Sequence, residues 1–430
     1  MNGIYKKLDN INVYLLSALP LSLAAGPAVI EINTFLIILF FFLAKNQIKF
    51  DKIDNLIFVF YFYLILSSLF SSFKIESLTS SFFLIRFILL YLIFKFYLSS
   101  KLSFRIYKFT FYVICFTFII LIFDGFAQYF FKFSIFGTEI SNVNRMIMHF
   151  RKGEFIMGSY ISKVMPIFFG IWYFNFKKFN FKINILLLFL TILTSYCMIL
   201  SNDRSATFLL LGFLLGLIIL CDLKFYYKFL VLFTFVSLIS LTLVIFPSVK
   251  ERYIDSTLME VYGNNDSDIS KNIKKLRDKN HKIKSFNLKI NNKDIFLFST
   301  AHEAHVKTAI NMFVNNQLIG VGPNNFRNLC SNDDYGIYEE RGCSTHPHHI
   351  LSQVLAETGI FGFLFYLLTL GYLIKQLFKQ LFLTNLRFNI ICLYSFYFLI
   401  LMPLLPSGNI FNNWYIYSIT LPYFYLRFIK

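Results

Sequence analysis

The sequence has few charged residues, and acidic residues are the scarcest of them. Only 15% of the 430 residues are charged, whereas 57% are hydrophobic and the mean hydropathy is +0.61. A soluble globular chain has about 25% charged and roughly 45–50% apolar residues. The composition therefore excludes a chain of ordinary soluble domains and indicates a polytopic membrane protein.

The shortage of acidic residues leaves a large positive charge. The chain has 41 Lys and Arg against 23 Asp and Glu, which gives a formal net charge of +18. The basic residues are scattered between apolar runs and form no basic face, so nucleic acid is not an expected partner. In a membrane protein such an excess is typical of cytoplasmic loops and of surfaces that bind phosphate.

Apolar runs divide the chain into transmembrane helices. A bilayer core about 30 Å thick needs about 20 apolar residues in a helix, because lipid offers no partner for backbone amides. We predict about twelve spans, although eleven also fit, since the second and fourth runs are short or interrupted. The runs are Val13–Ile30, Asn33–Ala44, Ile53–Leu69, Ser80–Phe94, Tyr107–Phe123, Ile156–Phe174, Ile183–Leu200, Ala206–Cys221, Phe229–Phe246, Leu351–Ile374, Phe388–Leu405 and Asn412–Phe428.

Basic residues in the short connections orient the spans, because Lys and Arg there resist translocation. Every second connection is basic, so both termini are predicted to be cytoplasmic. The long loop, 247–348, then lies outside; it is itself basic, but long loops translocate largely regardless of charge. No cleavable signal is recognisable at the N-terminus, and the first span is expected to act as its own anchor.

The predicted fold class is all-α, in three parts. These parts are spans 1–9 in residues 1–246, the long outer loop in residues 247–348, and spans 10–12 in residues 349–430. Within the loop, the alternation between Ser285 and Phe298 predicts a small hairpin. The pattern from Thr300 to Asn315 predicts a helix on which His302 and His305 lie one turn apart.

Cysteine usage agrees with this topology. Four cysteines lie in or beside spans and are expected to pack as small apolar residues: Cys115, Cys197, Cys221 and Cys392. Cys330 and Cys343 share the outer loop and could form a disulfide in an oxidising compartment, with two free thiols as the alternative. A zinc site made by these two with His346 and His348 lacks the tight paired spacing of zinc ligands, so no metal is expected.

Three of the seven histidines crowd into four residues, as His346, His348 and His349, at the predicted membrane interface. Imidazole is the side chain that exchanges a proton near neutral pH, so this cluster is predicted to be catalytic or to bind a ligand. A structural cap on the tenth span is the alternative.

Several cations fall on the same predicted side of the membrane as these histidines. Arg204 begins the eighth span, where a planar guanidinium and the amides of a helix start suit a phosphate group. An interfacial anchor paired with Asp203 is the alternative for Arg204. Arg86 and Lys163 lie inside spans, where an ionisable residue is usually functional. With Arg151 in a shorter outer loop, these cations are what a diphosphate-linked lipid would require.

Two segments carry a resemblance to a known family. They are GVGPNNFR, from Gly320 to Arg327, and HPHHILSQVLAETGIFG, from His346 to Gly362. The chain resembles the O-antigen ligase and O-antigen polymerase superfamily, whose ligase signature is His, an Asn, Ser or Gln, nine residues, Gly-x-x-Gly, and Thr or Val. His348, Gly359 and Gly362 fit this signature. His349 and Phe363 depart from it, which leaves ligase and polymerase both open.

The resemblance implies transfer of a glycan from an undecaprenyl-diphosphate carrier to a sugar hydroxyl at the periplasmic face of the bacterial inner membrane. It implies no metal and no cofactor. The partners would be the lipid-linked glycan donor, lipid A core or another glycan as acceptor, and membrane lipids.

The resemblance also implies roles for individual residues. A histidine acts on the acceptor hydroxyl, here His348, with His346 and His349 as further candidates. Arginines hold the diphosphate, here Arg204. Where many members carry a second arginine this chain has His302 or His305, and the residues that could replace it are Arg327, Lys307 and Arg151.

Three structural roles complete the expectation. Gly320 and Gly322 form a sharp turn, and the spacing of Gly359 and Gly362 favours close helix packing. Glu357, further along the tenth span, either orients a histidine or caps a polar seam.

Other functions remain open at this point. The chain could be a polymerase that extends carrier-linked glycans, or a protein O-oligosaccharyltransferase. A flippase for the same lipid would be expected to show two similar halves, and no internal repeat is visible. A structural or sensory membrane protein would leave the histidine cluster and the outer cations unexplained.

Overall fold

The computed structural model describes residues 2–139, 145–148, 154–175, 180–221, 224–258, 288–290, 293–295, 300–332, 334–335, 342–382, 387–402 and 406–429. These residues are almost entirely helical, in agreement with the predicted fold class. The first half of the chain contains α1 (Asn2–Ala25), α2 (Pro27–Leu43), α3 (Lys52–Leu69), α4 (Lys74–Phe82), α5 (Ile85–Leu98), α6 (Ser103–Phe131), α7 (Met157–Asn175), α8 (Phe181–Leu200) and α9 (Arg204–Leu220).

The second half adds shorter elements between its helices. It contains α10 (Phe225–Ile245), α11 (Pro247–Lys250), a π-helical turn (Glu251–Asp255), β1 (Leu288–Ile290), β2 (Lys293–Ile295), α12 (Thr300–Asn315), α13 (Phe326–Leu329), α14 (Ile350–Phe382), α15 (Phe388–Leu401) and α16 (Asn413–Leu426). The two strands pair antiparallel, with Ile290 opposite Lys293, where the sequence predicts a hairpin. The predicted turn residues, 291 and 292, lie outside the described residues.

Each predicted span coincides with at least one helix, but two boundaries are wrong. The first run, Val13–Ile30, is interrupted between α1 and α2, because Pro27 has no amide to continue α1 and instead begins a new helix. The fourth run, Ser80–Phe94, contains the turn between α4 and α5.

Within the described residues, six helical segments are long and apolar enough to cross a membrane. They are Gly3–Ala25, Lys52–Leu69, Lys74–Leu98, Ser103–Phe131, Phe181–Leu200 and Ile350–Lys379. A seventh would be the pair Leu232–Ile245 and Pro247–Leu258, which is bent by 111°. The chain is thus a membrane protein. The count of about twelve spans and the division at residues 246 and 348 stay predictions.

Helix α7 lies at the centre of the bundle, in contact with α6, α8, α9, α15 and α16. Its Tyr160 and Phe168 are fully buried. Gly158 lets α7 approach the turn before α9 closely, since a Cβ there would lie 2.7 Å from Ser201 Oγ and 2.8 Å from Asp203 Cβ. This contact places the start of α7 against the Arg204 turn.

The glycine-rich turn after α12 docks onto α14 through backbone hydrogen bonds. Gly322 N donates to Glu357 O at 3.0 Å, and Ile360 N donates to Gln317 O at 2.8 Å. The backbone of α14 is free to make these bonds because Gly359, with φ 61° and ψ −162°, interrupts the helix.

The last turn of α3 and the residues just after it hold the same turn from its other side. Ser67 Oγ donates to Ile319 O and Ser71 Oγ donates to Val321 O, each at 2.8 Å. Both serines are buried, so their hydroxyl groups need these acceptors. The turn is therefore fixed between α3 and α14, and α13 begins directly after it.

Candidate active site

Four histidines meet in front of the start of α14, with His348 at their centre. Its ring centroid lies 4.0 Å from that of His346, 5.3 Å from that of His302 and 5.5 Å from that of His305. His302 and His305 belong to α12, whereas His346 and His348 belong to the segment before α14. The structure thus joins two groups of histidines that the sequence shows apart.

The backbone of His348 has a left-handed conformation, with φ 55°. Its carbonyl oxygen accepts from Ser407 N at 2.9 Å, and its Nε2 atom lies 3.1 Å from Ser344 Oγ. Within the described part of the chain, no hydrogen-bond partner is found for its Nδ1 atom. When Nε2 donates to Ser344, Nδ1 carries the lone pair and can take a proton from a substrate.

His346 is held in one tautomer by its two neighbours. Its Nε2 atom lies 3.1 Å from Ser407 O, which can only accept, so Nε2 carries the proton. Its Nδ1 atom therefore accepts from Thr345 Oγ1 at 2.9 Å. Both ring nitrogens of His346 are occupied, so this histidine supports His348 in the structure and is not itself open to a substrate.

Burial lowers the pKa of three imidazoles in the cluster. It lowers the pKa of His348 to about 3 and the pKa of His346 to about 4, and the neighbouring imidazoles act in the same direction. Burial also lowers the pKa of His305. All three are neutral at pH 7, because their pKa values lie below the ordinary value for histidine. An anionic substrate beside them would raise these pKa values and strengthen the bases.

His349, the third candidate base, lies at the N-terminal end of α14. Its Nδ1 atom accepts from Ser352 N at 3.3 Å, as a capping side chain does. The predicted alternative of a helix cap thus describes His349, while His348 and His346 face the other histidines.

Arg204 is the first residue of α9, as predicted, and is half-buried. Its Nη1 atom donates to Thr257 Oγ1 at 2.7 Å, in the segment that bends back after α10. Asp203 caps α9 by accepting from Ala206 N at 3.2 Å. A guanidinium therefore lies at the positive end of a helix dipole, which suits an anion.

Lys163 lies between the Arg204 turn and the histidines. Its side chain is only 6% exposed, and its Nζ atom donates to Ser159 Oγ and lies 5.2 Å from the Tyr415 ring centroid. Tyr415 in turn packs against Gly408, next to Ser407. No carboxylate is within ion-pair distance of Lys163 among the residues that the structure describes, so a buried cation lacks a direct counter-charge.

The other predicted cations are less available to an anion. Arg86 Nε lies 3.0 Å from Glu31 Oε2, and its guanidinium lies over the Phe87 ring. Lys307 pairs with Glu303 one turn earlier on α12. Arg151 lies outside the described residues.

Arg327 is exposed and close to the histidine cluster. Its Nη2 atom donates to Asn324 Oδ1 at 3.1 Å, and its charge helps to lower the pKa of His346. Of the two predicted replacements that the structure describes, Lys307 has an ion-pair partner, whereas Arg327 has none among the described residues.

A disulfide joins Cys330 and Cys343, whose Cα atoms are 4.8 Å apart. It ties α13 to the segment that leads into His346 and His348. In the portion of the chain with described coordinates, no group of three or more His, Cys, Asp or Glu side chains is arranged to hold a metal ion.

The residues that hold His348 and Arg204 in place were not identified from the sequence. Ser344 and Ser407 contact His348, and Thr257 contacts Arg204. Each is a common polar residue in a connection, and no local pattern distinguishes it. The carboxylate of Glu357 accepts from Phe326 N at 2.8 Å and from Gln353 Nε2 at 2.9 Å, and its predicted role stays a prediction.

These features define a polytopic membrane protein with four clustered histidines before one of its helices and an arginine at the start of another. Residues 189–367, which include Arg204, the glycine-rich turn and all four clustered histidines, match the family model described as O-antigen ligase. The match confirms the resemblance to the O-antigen ligase superfamily, a group of ligases and polymerases of glycosyltransferase type. At this coarse level the match supports an enzyme of glycosyltransferase type. Neither the curated proteins nor the solved structures include a match to the chain.

Proposed function

We propose that the protein is an O-antigen ligase that moves a glycan from undecaprenyl diphosphate to a sugar hydroxyl of lipid A core. The reaction takes place at the periplasmic face of the bacterial inner membrane, with both termini cytoplasmic. The observation that carries the proposal is the neutral His348, whose Nδ1 atom has no hydrogen-bond partner among the described residues, inside the region that matches the family.

His348 is the proposed base. The acceptor oxygen forms a bond to the anomeric carbon of the glycan while the bond from that carbon to the diphosphate oxygen breaks. His348 Nδ1 takes the proton of the acceptor hydroxyl, a contribution of about 10²–10⁴-fold. The diphosphate beside the cluster raises the pKa of His348 and so makes it a better base.

Arg204 and Lys163 are the proposed ligands of the leaving diphosphate. Arg204 offers a planar fork of donors at a helix start, and Lys163 offers a buried ammonium without a paired carboxylate. Such preorganised cations stabilise the charge that develops on the leaving oxygen by several kcal/mol. Arg327 lies near the histidines and is proposed to contact the glycan or the acceptor side of the same site.

An O-antigen polymerase is the second candidate. His349 and Phe363 depart from the ligase signature, and His349 caps α14 in the structure. A polymerase would use the same base and the same cations but would take a second carrier-linked glycan as acceptor.

One assay separates the two candidates. Purified protein is mixed with the carrier-diphosphate glycan, with EDTA present, and with either lipid A core or no second acceptor. Glycan on lipid A core is the expected result. A ladder of lengthened carrier-linked chains without added acceptor would replace the ligase by the polymerase, and dependence on a divalent metal would contradict the proposed chemistry.

A further inference from the structure

A buried carboxylate lies below the candidate active site. Glu357 on α14 is 1% exposed, and both of its oxygens are used. Oε1 accepts from Phe326 N at 2.8 Å, and Oε2 accepts from Gln353 Nε2 at 2.9 Å, one turn earlier on the same helix. The carboxylate thus joins the start of α13 to the first turns of α14.

Gln353 also forms hydrogen bonds with a third segment of the chain, the loop before α16. Its side chain is fully buried, and its Nε2 atom also donates to Asn409 Oδ1 at 2.7 Å. Its Oε1 atom accepts from Ile410 N at 3.2 Å. Because a backbone amide can only donate, the orientation of the Gln353 amide is fixed, and Nε2 must point at two acceptors.

Asn409 is oriented in the same way. Its Oδ1 atom accepts from Phe411 N at 2.9 Å as well as from Gln353. Its Nδ2 atom donates to Asn324 Oδ1 at 3.1 Å, in the glycine-rich turn. A connected polar network in which each member has one allowed orientation is rigid, and such networks specify a single arrangement.

Asn409 lies two residues after the contact that holds the histidines. Ser407 N donates to His348 O at 2.9 Å, and Ser407 O accepts from His346 Nε2 at 3.1 Å. The backbone of Ser407 therefore holds His348 through its amide and fixes the tautomer of His346 through its carbonyl oxygen, in two successive peptide units.

We propose that Gln353 and Asn409 are positioning residues for the His346–His348 pair, which they control through the backbone of Ser407. Glu357 fixes the other end of the network. The inference rests on the proposed role of His348 as the base. It adds that two side-chain amides align the base. Asn409 lies outside the family signature, and Gln353 occupies one of the nine unspecified positions within that signature.

The test replaces Asn409 with Leu, which has a similar volume and makes no hydrogen bond. The expected result is a fall in kcat of roughly 10–100-fold with the donor KM within a factor of about three, because misplacing a reacting group by about 1 Å has effects of this size. Asn409→Asp keeps both acceptor contacts of Oδ1 but loses the donation to Asn324 Oδ1, so its activity should fall between those of the wild type and Asn409→Leu. Asn413→Leu is the matched control, because Asn413 is exposed at the start of α16 and its side chain makes no hydrogen bond to another described residue.

A second readout does not depend on turnover. In protein labelled with ¹⁵N-histidine, wild-type His346 should show protonated Nε2 and unprotonated Nδ1. Asn409→Leu should give a mixture of both tautomers, while Asn413→Leu should not. Where Asn409→Leu does not accumulate, Asn409→Ala takes its place in both measurements.

The two proposals fail in different ways. An Asn409 variant with wild-type kcat and an unchanged His346 tautomer would overturn the positioning role while leaving the transferase proposal intact. A wild-type protein without transfer activity, in which Asn409→Leu still changes the His346 tautomer, would overturn the proposed function and leave the structural coupling in place.

Discussion

Replacing Arg204 with Lys tests whether the fork of the guanidinium matters beyond its charge. A lysine keeps the positive charge at the start of α9 but cannot donate two parallel hydrogen bonds to one phosphate. Losing one charge-assisted hydrogen bond costs about 1.5–3 kcal/mol, and about 1.4 kcal/mol corresponds to a factor of ten. Arg204→Lys should therefore lower kcat/KM for the lipid-linked donor by roughly 10–150-fold.

Arg204→Ala removes both bonds and the charge, so it should lower kcat/KM further, by roughly 10²–10⁴-fold on the same reasoning. The Thr257 contact is also lost, and thermal stability must be measured beside activity. The assay follows transfer from a purified carrier-diphosphate glycan over a range of donor concentrations. Arg387→Lys, a change at an exposed arginine on the predicted cytoplasmic side, is the control. Arg204→Lys with full kcat/KM would refute the diphosphate role of the guanidinium.

Three further predictions concern the cation, the histidines and the interrupted helix. Lys163→Met should raise the donor KM about tenfold or more in the same assay, because a buried cation for the diphosphate is lost. The acceptor KM should change little, and equal effects on both substrates would contradict this role. The melting temperature should be highest above about pH 6.5 and should fall as the pH is lowered toward about 4. The reason is that folding lowers the pKa of His346 to about 4 and that of His348 to about 3, so the unfolded chain binds protons more readily. A double His346→Gln/His348→Gln variant should show a smaller fall of melting temperature between about pH 6.5 and about pH 4. An unchanged fall would contradict the assignment of this pH dependence to the two histidines. Gly359→Ala should lower the melting temperature by several degrees, since its φ of 61° suits glycine and a Cβ would meet the preceding turn, whereas Gly371→Ala has open space and should have no such effect.

The helices could be predicted because each apolar run is a local property of the chain. Lipid requires backbone amides to bond within one helix, and the runs that begin near Ile53 and Ile183 match α3 and α8 within two residues. The break at Gly359 could not be predicted, because the apolar pattern continues through it. Its conformation is required by the turn that pairs with α14, which lies far away in the sequence.

The candidate site divides in the same way. His348 and Arg204 could be singled out because a histidine cluster and an arginine at a helix start are unusual in a membrane protein. The meeting of His302 and His305 with His348 depends on the packing of α12 against α14, which no local pattern contains. The tautomer of His346 is set by the backbone carbonyl of Ser407. Every residue has a backbone carbonyl, so the sequence cannot indicate which one contacts the histidine.

The most direct test of the account is the transfer rate of purified His348→Ala in the presence of EDTA. Donor binding, measured separately with the carrier-diphosphate glycan, should remain at the wild-type level because Arg204 and Lys163 are intact. The account predicts that transfer falls by about 10²-fold or more, the loss expected for a general base. Transfer at the wild-type rate by a correctly folded His348→Ala protein would contradict it.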